Sequence, residues 1–242
     1  MAELEALRAA VLAALDDPDA AAGVDAVGRV CRACVRLLPV DGAAVSIMSD
    51  AQNRETVYAS DAVSVALGEL QFSLGEGPCF QAYATGGPVL VPDLAKAAAP
   101  HWPVFAAQVA DYPVGALFTF PVQIGTIRLA TLDTYRTTAG PLSAAELSVA
   151  LQVADIAALA LSGLAAGDDS WLDEDGRWLE ESSTMRHRQV HQATGVLIIQ
   201  LELPAGQALS RMRAYAFSHD RPLADIAADI VGRRLLLVED QG

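Results

Sequence analysis

Residues 190–231 read VHQATGVLIIQLELPAGQALSRMRAYAFSHDRPLADIAADIV. Val190, Ala193, Leu197 and Leu201 follow one another at spacings of 3, 4 and 4, which places them on one face of a helix running from about Met185 to Leu203. Pro204 opens a second helix, in which Leu209, Met212 and Ala216 repeat the pattern. Asp220-Arg221-Pro222 resets the chain, and Leu223, Ile226, Ala227, Ile230 and Val231 form a third apolar stripe. Three amphipathic helices with short connections make a small bundle. A unit of about 50 residues buries little core alone, so it is expected to dock or dimerise.

Charge separates this bundle from what precedes it. The 242-residue chain has a formal net charge of −14. Residues 185–234 hold seven arginines and four acids, net +3, whereas residues 1–184 hold 9 basic and 24 acidic residues, net −15. Such asymmetry implies two domains with different partners. The acidic total argues against a protein that coats nucleic acid or an anionic membrane with its whole surface, and leaves a local basic face open. Between the two lies DDSWLDEDGRWLEESST, residues 168–184, with seven acids and one arginine, read as a linker over 167–184. The domain boundaries expected are 1–166, 185–236 and a tail at 237–242.

Upstream the grammar changes from helical to mixed. Residues 3–15 and 21–38 read as helices, stopped by Pro39 and Asp41-Gly42. Residues 43–49 and 54–60 read as a strand pair around a polar turn, and Pro88–Val91 as a short strand. Gly75-Glu76-Gly77-Pro78 is a tight loop before a short helix near Cys79. His101–Asp111 is helical, with Pro103 tolerated in the first turn. Val114–Gln123 and Thr126–Tyr135 form the strongest hairpin, turning at Ile124-Gly125. Ser143 and Glu146 make a capping box for a helix that runs to about Leu164 and is apolar nearly all round. Helices flanking antiparallel strands make residues 20–165 an α+β domain. Leu147–Ala166 is broken by Gln152, Asp155 and Gly163 and reads poorly as a membrane span. With no basic leader and three cysteines only, the chain is expected to be cytoplasmic.

The C-terminal stretch resembles the ANTAR domain, an RNA-binding three-helix module of bacterial transcription antiterminators. Gln192, Ala193, Gly195 and Leu197 match the family pattern on the first helix. Ala208, Met212, Arg213 and Ala216 match it on the second, and Leu223, Ile226 and Ala227 on the third. Thr194 departs from it, standing where the family commonly has Lys. Gly75-Glu76-Gly77-Pro78-Cys79, the run Pro88–Leu94, His101-Trp102-Pro103 and the strands around Phe118–Tyr135 resemble the GAF domain, a regulatory sensor fold. The order is similar to that of the actinobacterial GAF–ANTAR regulators, over roughly Gly23–Val231. The resemblance implies a sensor that controls binding to paired stem-loops in nascent RNA, which keeps a competing terminator hairpin from forming.

RNA binding needs cations for phosphates and groups that read splayed-out bases. Arg186, Arg188, Arg211 and Arg213 are the candidate cations. His191, Gln192 and Thr194 lie beside Gly195, where a missing side chain lets a backbone approach. Arg233 and Arg234 close the third helix, where they equally serve to offset its dipole. In the sensor, Gly75, Glu76, Gly77, Cys79, Phe118 and Phe120 are the candidate pocket for a small-molecule or protein signal, and the loop reads equally as a structural turn. Cys79 is either a thiol activated at a helix N-terminus or a small buried residue. Cys31-x-x-Cys34 lies in a helix without a second pair, and His187 and His191 lack a third ligand, so no metal is expected. His101 has nothing to support it as a haem ligand. The glycine loop lacks the lysine and spacing of a nucleotide-binding loop, and no nucleophile elbow or dinucleotide fingerprint is present. The expectation is a homodimeric regulator that is not an enzyme and carries no cofactor. The alternatives are a sensing scaffold whose RNA face has decayed, and a thiol enzyme working through Cys79.

Overall fold

A computed structural model describes residues 24–48, 54–97, 101–166 and 181–237. The expected helix at 3–15, residues 167–180 of the acidic linker with Trp171 and Trp178, and the tail beyond Leu237 lie outside the described residues. The chain divides into two compact units, one ending at Glu174 and the other beginning at Asp175.

The first unit is built on a five-stranded antiparallel sheet: β1 (Gly42–Met48), β2 (Arg54–Ala59), β3 (Val89–Val91), β4 (Ala116–Ile124) and β5 (Ile127–Arg136). Their order across the sheet is β2-β1-β5-β4-β3. The long hairpin forms where sequence places it, with its turn one residue further on. Ile124 pairs with Ile127, so the two connecting residues are Gly125 and Thr126. Gly125 has φ +59°, which a side-chain-bearing residue adopts only at a cost. The helices are α1 (Val24–Leu37), α2 (Ala62–Leu74), α3 (Pro78–Thr85), α4 (Leu94–Ala97), α5 (Pro103–Val109) and α6 (Ala144–Ala166).

Helix α1 packs on β1 and β2 and against α6, which covers β4 and β5. Helices α2 and α3 cover the other face, with α5 packed on α2. The long strands β4 and β5 between these layers are buried on both faces over most of their length. Helix α2 is the element the sequence did not announce. Asp61 caps it by accepting from the amides of Val63 and Ser64, both at 2.9 Å, and Gly75 ends it in the left-handed conformation. Helix α6 starts with the expected capping box: Glu146 accepts from the Ser143 amide at 2.6 Å, and Ser143 Oγ from the Glu146 amide at 3.2 Å. It is long and apolar enough to cross a membrane, but its buried residues, among them Ala150, Val153 and Ala157, belong to the core of the domain.

The second unit is a bundle of α7 (Glu181–Leu201), α8 (Ala205–Ser218) and α9 (Leu223–Val231). Helix α7 packs against both others. The predicted stripes are its core: Val190, Ala193, Leu197, Leu201, Leu209, Met212, Ala216, Leu223, Ile226, Ala227 and Ile230 are buried, while Val231 is exposed.

Candidate functional site

In the bundle, burial sorts the candidate RNA contacts into two groups. Arg188, His191 and Gln192 are exposed on α7. Together with Gly195 they recur at spacings of three and four, so they share one face. A Cβ added at Gly195 would meet nothing within 4 Å, so the helix backbone is open to approach there. Ile199, 81% exposed, extends the same face. Arg186 lies on this helix too, with its side chain outside the described residues.

Two other candidates, Thr194 and Arg213, turn inward, which corrects the expectation for them. Thr194 sits four residues after Val190 and three before Leu197, inside the core stripe. It is buried, and its hydroxyl donates to the Val190 carbonyl at 2.8 Å. Arg213 follows Leu209 by four and precedes Ala216 by three, and is likewise buried. Arg211 is half-buried. At the end of α9, Asp229 accepts from Arg221 Nη2 at 2.7 Å and from Arg234 Nε at 2.8 Å. These two hydrogen bonds hold the Asp229 carboxyl below the ordinary carboxylate range.

In the first unit, the six candidate pocket residues do not converge. Gly75 and Gly77 form the joint between α2 and α3, and Gly77 has φ +140°. A Cβ at Gly77 would stand 2.6 Å from Gln71 Oε1, the atom that accepts from the Cys79 amide at 2.9 Å. Glu76 reaches across to accept from the Phe105 amide at 2.6 Å, tying the loop to the first turn of α5. The loop is therefore a structural joint. Phe118 and Phe120 are fully buried on the opposite face of the sheet. Along β4 the side chains alternate: Leu117 packs with Trp102 and Phe105, while Phe118 lies under the Arg136 guanidinium, which pairs with Glu146 at the start of α6.

What the α2 face does hold is a buried polar layer. Arg54 Nη2 donates to Asp133 Oδ2 at 2.7 Å, with both side chains no more than 6% exposed. Thr119 donates to the other Asp133 oxygen at 2.7 Å. Among the described residues, Arg54 Nε, Gln71 Nε2 and Thr131 Oγ1 are buried without a hydrogen-bond partner. A small cavity of about 10 Å³ is lined by Arg54, Ser64, Asp133 and Tyr135, with room for one water. A second, open cleft of about 260 Å³ lies along the β3 edge between Gln81, Leu90, His101 and Trp102.

Comparison with known proteins settles what these two units are. The family model of the GAF domain matches residues 24–162, and that of the ANTAR domain matches residues 182–231. The chain belongs to the GAF domain family and carries an ANTAR domain behind it. Among solved structures, the GAF domain of a phosphoenolpyruvate-protein phosphotransferase from Coxiella burnetii is similar at 16% identity and TM-score 0.53. The match covers 68% of this chain and 95% of that one. The corresponding domain from Acinetobacter is similar at 13% identity and TM-score 0.51, covering 69% and 96%. At these identities the likeness shows the fold. No curated protein matches the chain.

The two domains make the chain a sensor-linked RNA-binding regulator. Within the GAF domain, Cys79 is fully buried, and burial pushes its thiol far above the ordinary range despite the helix N-terminus beside it. A protonated, inaccessible thiol does not serve as a nucleophile, which counts against the thiol-enzyme reading. Cys31 and Cys34 are free and buried in α1, and burial raises them too. Among the described residues no group of three His, Cys, Asp or Glu side chains converges to hold a metal ion. The residues that sequence reasoning passed over are Arg54, Asp61, Asp133 and Tyr135. Their signal was a charge set within an otherwise apolar strand, as in Leu132-Asp133-Thr134.

Proposed function

We propose that this protein is a cytoplasmic transcription regulator that acts by antitermination. The ANTAR domain binds paired stem-loops of nascent RNA, and the GAF domain sets when it does so. The observation that supports this most directly is the exposed face of α7, where Arg188, His191 and Gln192 flank the open backbone at Gly195. Arg188 meets phosphate, His191 and Gln192 address looped-out bases, and Gly195 admits the RNA backbone. Arg186, on the same helix, is the further cation of the proposal. Arg213 and Thr194 act behind it as packing and support, and Arg211, half-buried on α8, is a further candidate cation.

The signal at the GAF domain is a small molecule or a partner protein, and the open cleft along the β3 edge is one place where it can be received. The reading includes a homodimer through α6, where Leu151, Asp155 and Leu159 leave an exposed stripe at spacings of four, together with α7. Two ANTAR domains per dimer suit two RNA loops. Coupling requires that the signal bind one arrangement of the dimer better than another. No enzymatic activity and no cofactor enter the proposal.

The test is binding of a two-stem-loop RNA to the full chain across a salt series, paired with read-through of a terminator in transcription assays. An affinity whose logarithm falls linearly with the logarithm of salt, and added read-through, are the expected results. The inward placement of Thr194 and Arg213 favours the second reading, a sensing scaffold with a decayed RNA face. Binding without salt dependence, or none, would establish that reading instead.

A further inference from the structure

The ion pairs at the end of α9 are arranged as a cationic surface with an acid at its centre. We infer that Arg221 and Arg234 form a second phosphate-binding surface for RNA, and that Asp229 is the positioning residue that aims them. The inference rests on the RNA-binding reading above and adds a second contact to it.

Three observations carry it. The first is the exposure gradient. The Asp229 side chain is 22% exposed, whereas those of Arg221 and Arg234 are 41% and 64% exposed. The acid is on the inside and the cations are outside. The second is donor accounting. A guanidinium has five N–H donors. Asp229 takes one from Arg221, at Nη2, and one from Arg234, at Nε, and the Ala228 carbonyl accepts a further one from Arg234 Nη2 at 3.3 Å. Among the described residues no other acceptor takes the remaining donors, and because both groups are tethered to one carboxylate they converge on one region of surface.

The third is the backbone. Asp220 and Arg233, the residues immediately before each arginine, have φ +49° and +55°. Left-handed backbone is unfavourable for residues that carry a side chain, and persists where the surroundings enforce it. Here the Arg221 amide donates to Ala216 at 3.0 Å, and the Arg234 amide to Asp229 at 2.8 Å, fixing both turns. The cluster holds three exposed arginines, with Arg233 as the third, beside Asp220, Asp225 and Asp229, so what it offers an anion is donor geometry rather than net charge. A phosphodiester oxygen is the partner that matches fixed, outward-facing guanidinium donors.

The experiment measures binding of the same two-stem-loop RNA to the full chain as a function of salt, with circular dichroism to follow folding. Arg221→Ala and Arg234→Ala are each expected to weaken binding about three- to tenfold and to flatten the salt slope by about one. Arg221→Lys is expected to keep the slope while losing part of the affinity. Asp229→Asn is expected to weaken binding about threefold although it makes the chain more positive; charge counting alone predicts the opposite sign. Arg188→Ala, on the α7 face, is the control. If Arg221→Ala and Arg234→Ala keep wild-type affinity and slope while Arg188→Ala weakens binding, the second surface is overturned and the α7 face stands. A rise in affinity for Asp229→Asn overturns the positioning role. No binding by the wild-type chain overturns both this inference and the reading beneath it.

Discussion

Asp61 shows how much a single side chain organises in the sensor domain. Its carboxylate caps α2 and also accepts from the hydroxyls of Ser60 at 2.6 Å, Ser64 at 2.8 Å and Tyr135 at 3.1 Å. Burial alone would raise this carboxyl, but the hydrogen bonds from Ser60, Ser64 and Tyr135 outweigh it and hold it below the ordinary carboxylate value. The sign follows from linkage. A carboxyl depressed in the folded state adds stability above its unfolded value, about pH 4, and that stability is lost as pH falls through the folded value. Urea unfolding followed by circular dichroism should show this acid-side loss. Asp61→Ala should remove it and cost about 1–2 kcal/mol at neutral pH, in the range measured for lost helix caps. On α7, Arg188→Ala should flatten the salt slope for RNA by about one, whereas Thr194→Val should leave RNA affinity at the wild-type level. Both outcomes are read in the salt series. The spacing that identified the core of the bundle already carried this distinction. Thr194 and Arg213 fall within the stripes of Val190–Leu197 and Leu209–Ala216, but residue type suggested an outward role where position dictated an inward one.

Among the elements, those with strong local grammar were legible. Helix α6 announces itself with Ser143 and Glu146, and the β4–β5 hairpin with β-branched and aromatic alternation around a glycine. Ser143→Ala removes one arm of the capping box and should lower the stability of the GAF domain by about 1 kcal/mol, seen as a lower thermal midpoint. Helix α2 was illegible because its buried positions include Ser64, Gly68 and Gln71, so its apolar residues keep no helical period. The terminal signals were present in Asp61 and Gly75 and would have been enough. The candidate pocket failed for a reason of parity. Phe118 and Phe120 lie an odd number of positions from Leu117, and in a strand that sends them to the other side of the sheet from Cys79. Sequence reading also takes polar strand residues as outward-facing, which hides Arg54 and Asp133 in a sheet covered on both faces.

For the molecule as a whole, the division into two domains was written in the charge: net −15 before residue 185 and net +3 in the bundle that follows. The proposed dimer is tested at this scale. Leu159 is 61% exposed on the outward stripe of a helix whose other side packs in the core. Leu159→Glu should yield a monomer in sedimentation velocity at concentrations where the wild-type chain is dimeric; a dimer that persists would place the contact elsewhere. The Arg54–Asp133 pair bears on the history of the chain as well. It joins β2 to β5 across the intervening strand, between positions 79 residues apart. Removing either partner leaves an isolated charge in the interior, at about 3–5 kcal/mol, whereas exchanging both for apolar groups is close to neutral. Each position is thereby frozen by the other. Descendants of this gene can lose the pair only by crossing a valley of poorly folded intermediates or by changing both codons together, so the two sites are expected to be inherited as a unit.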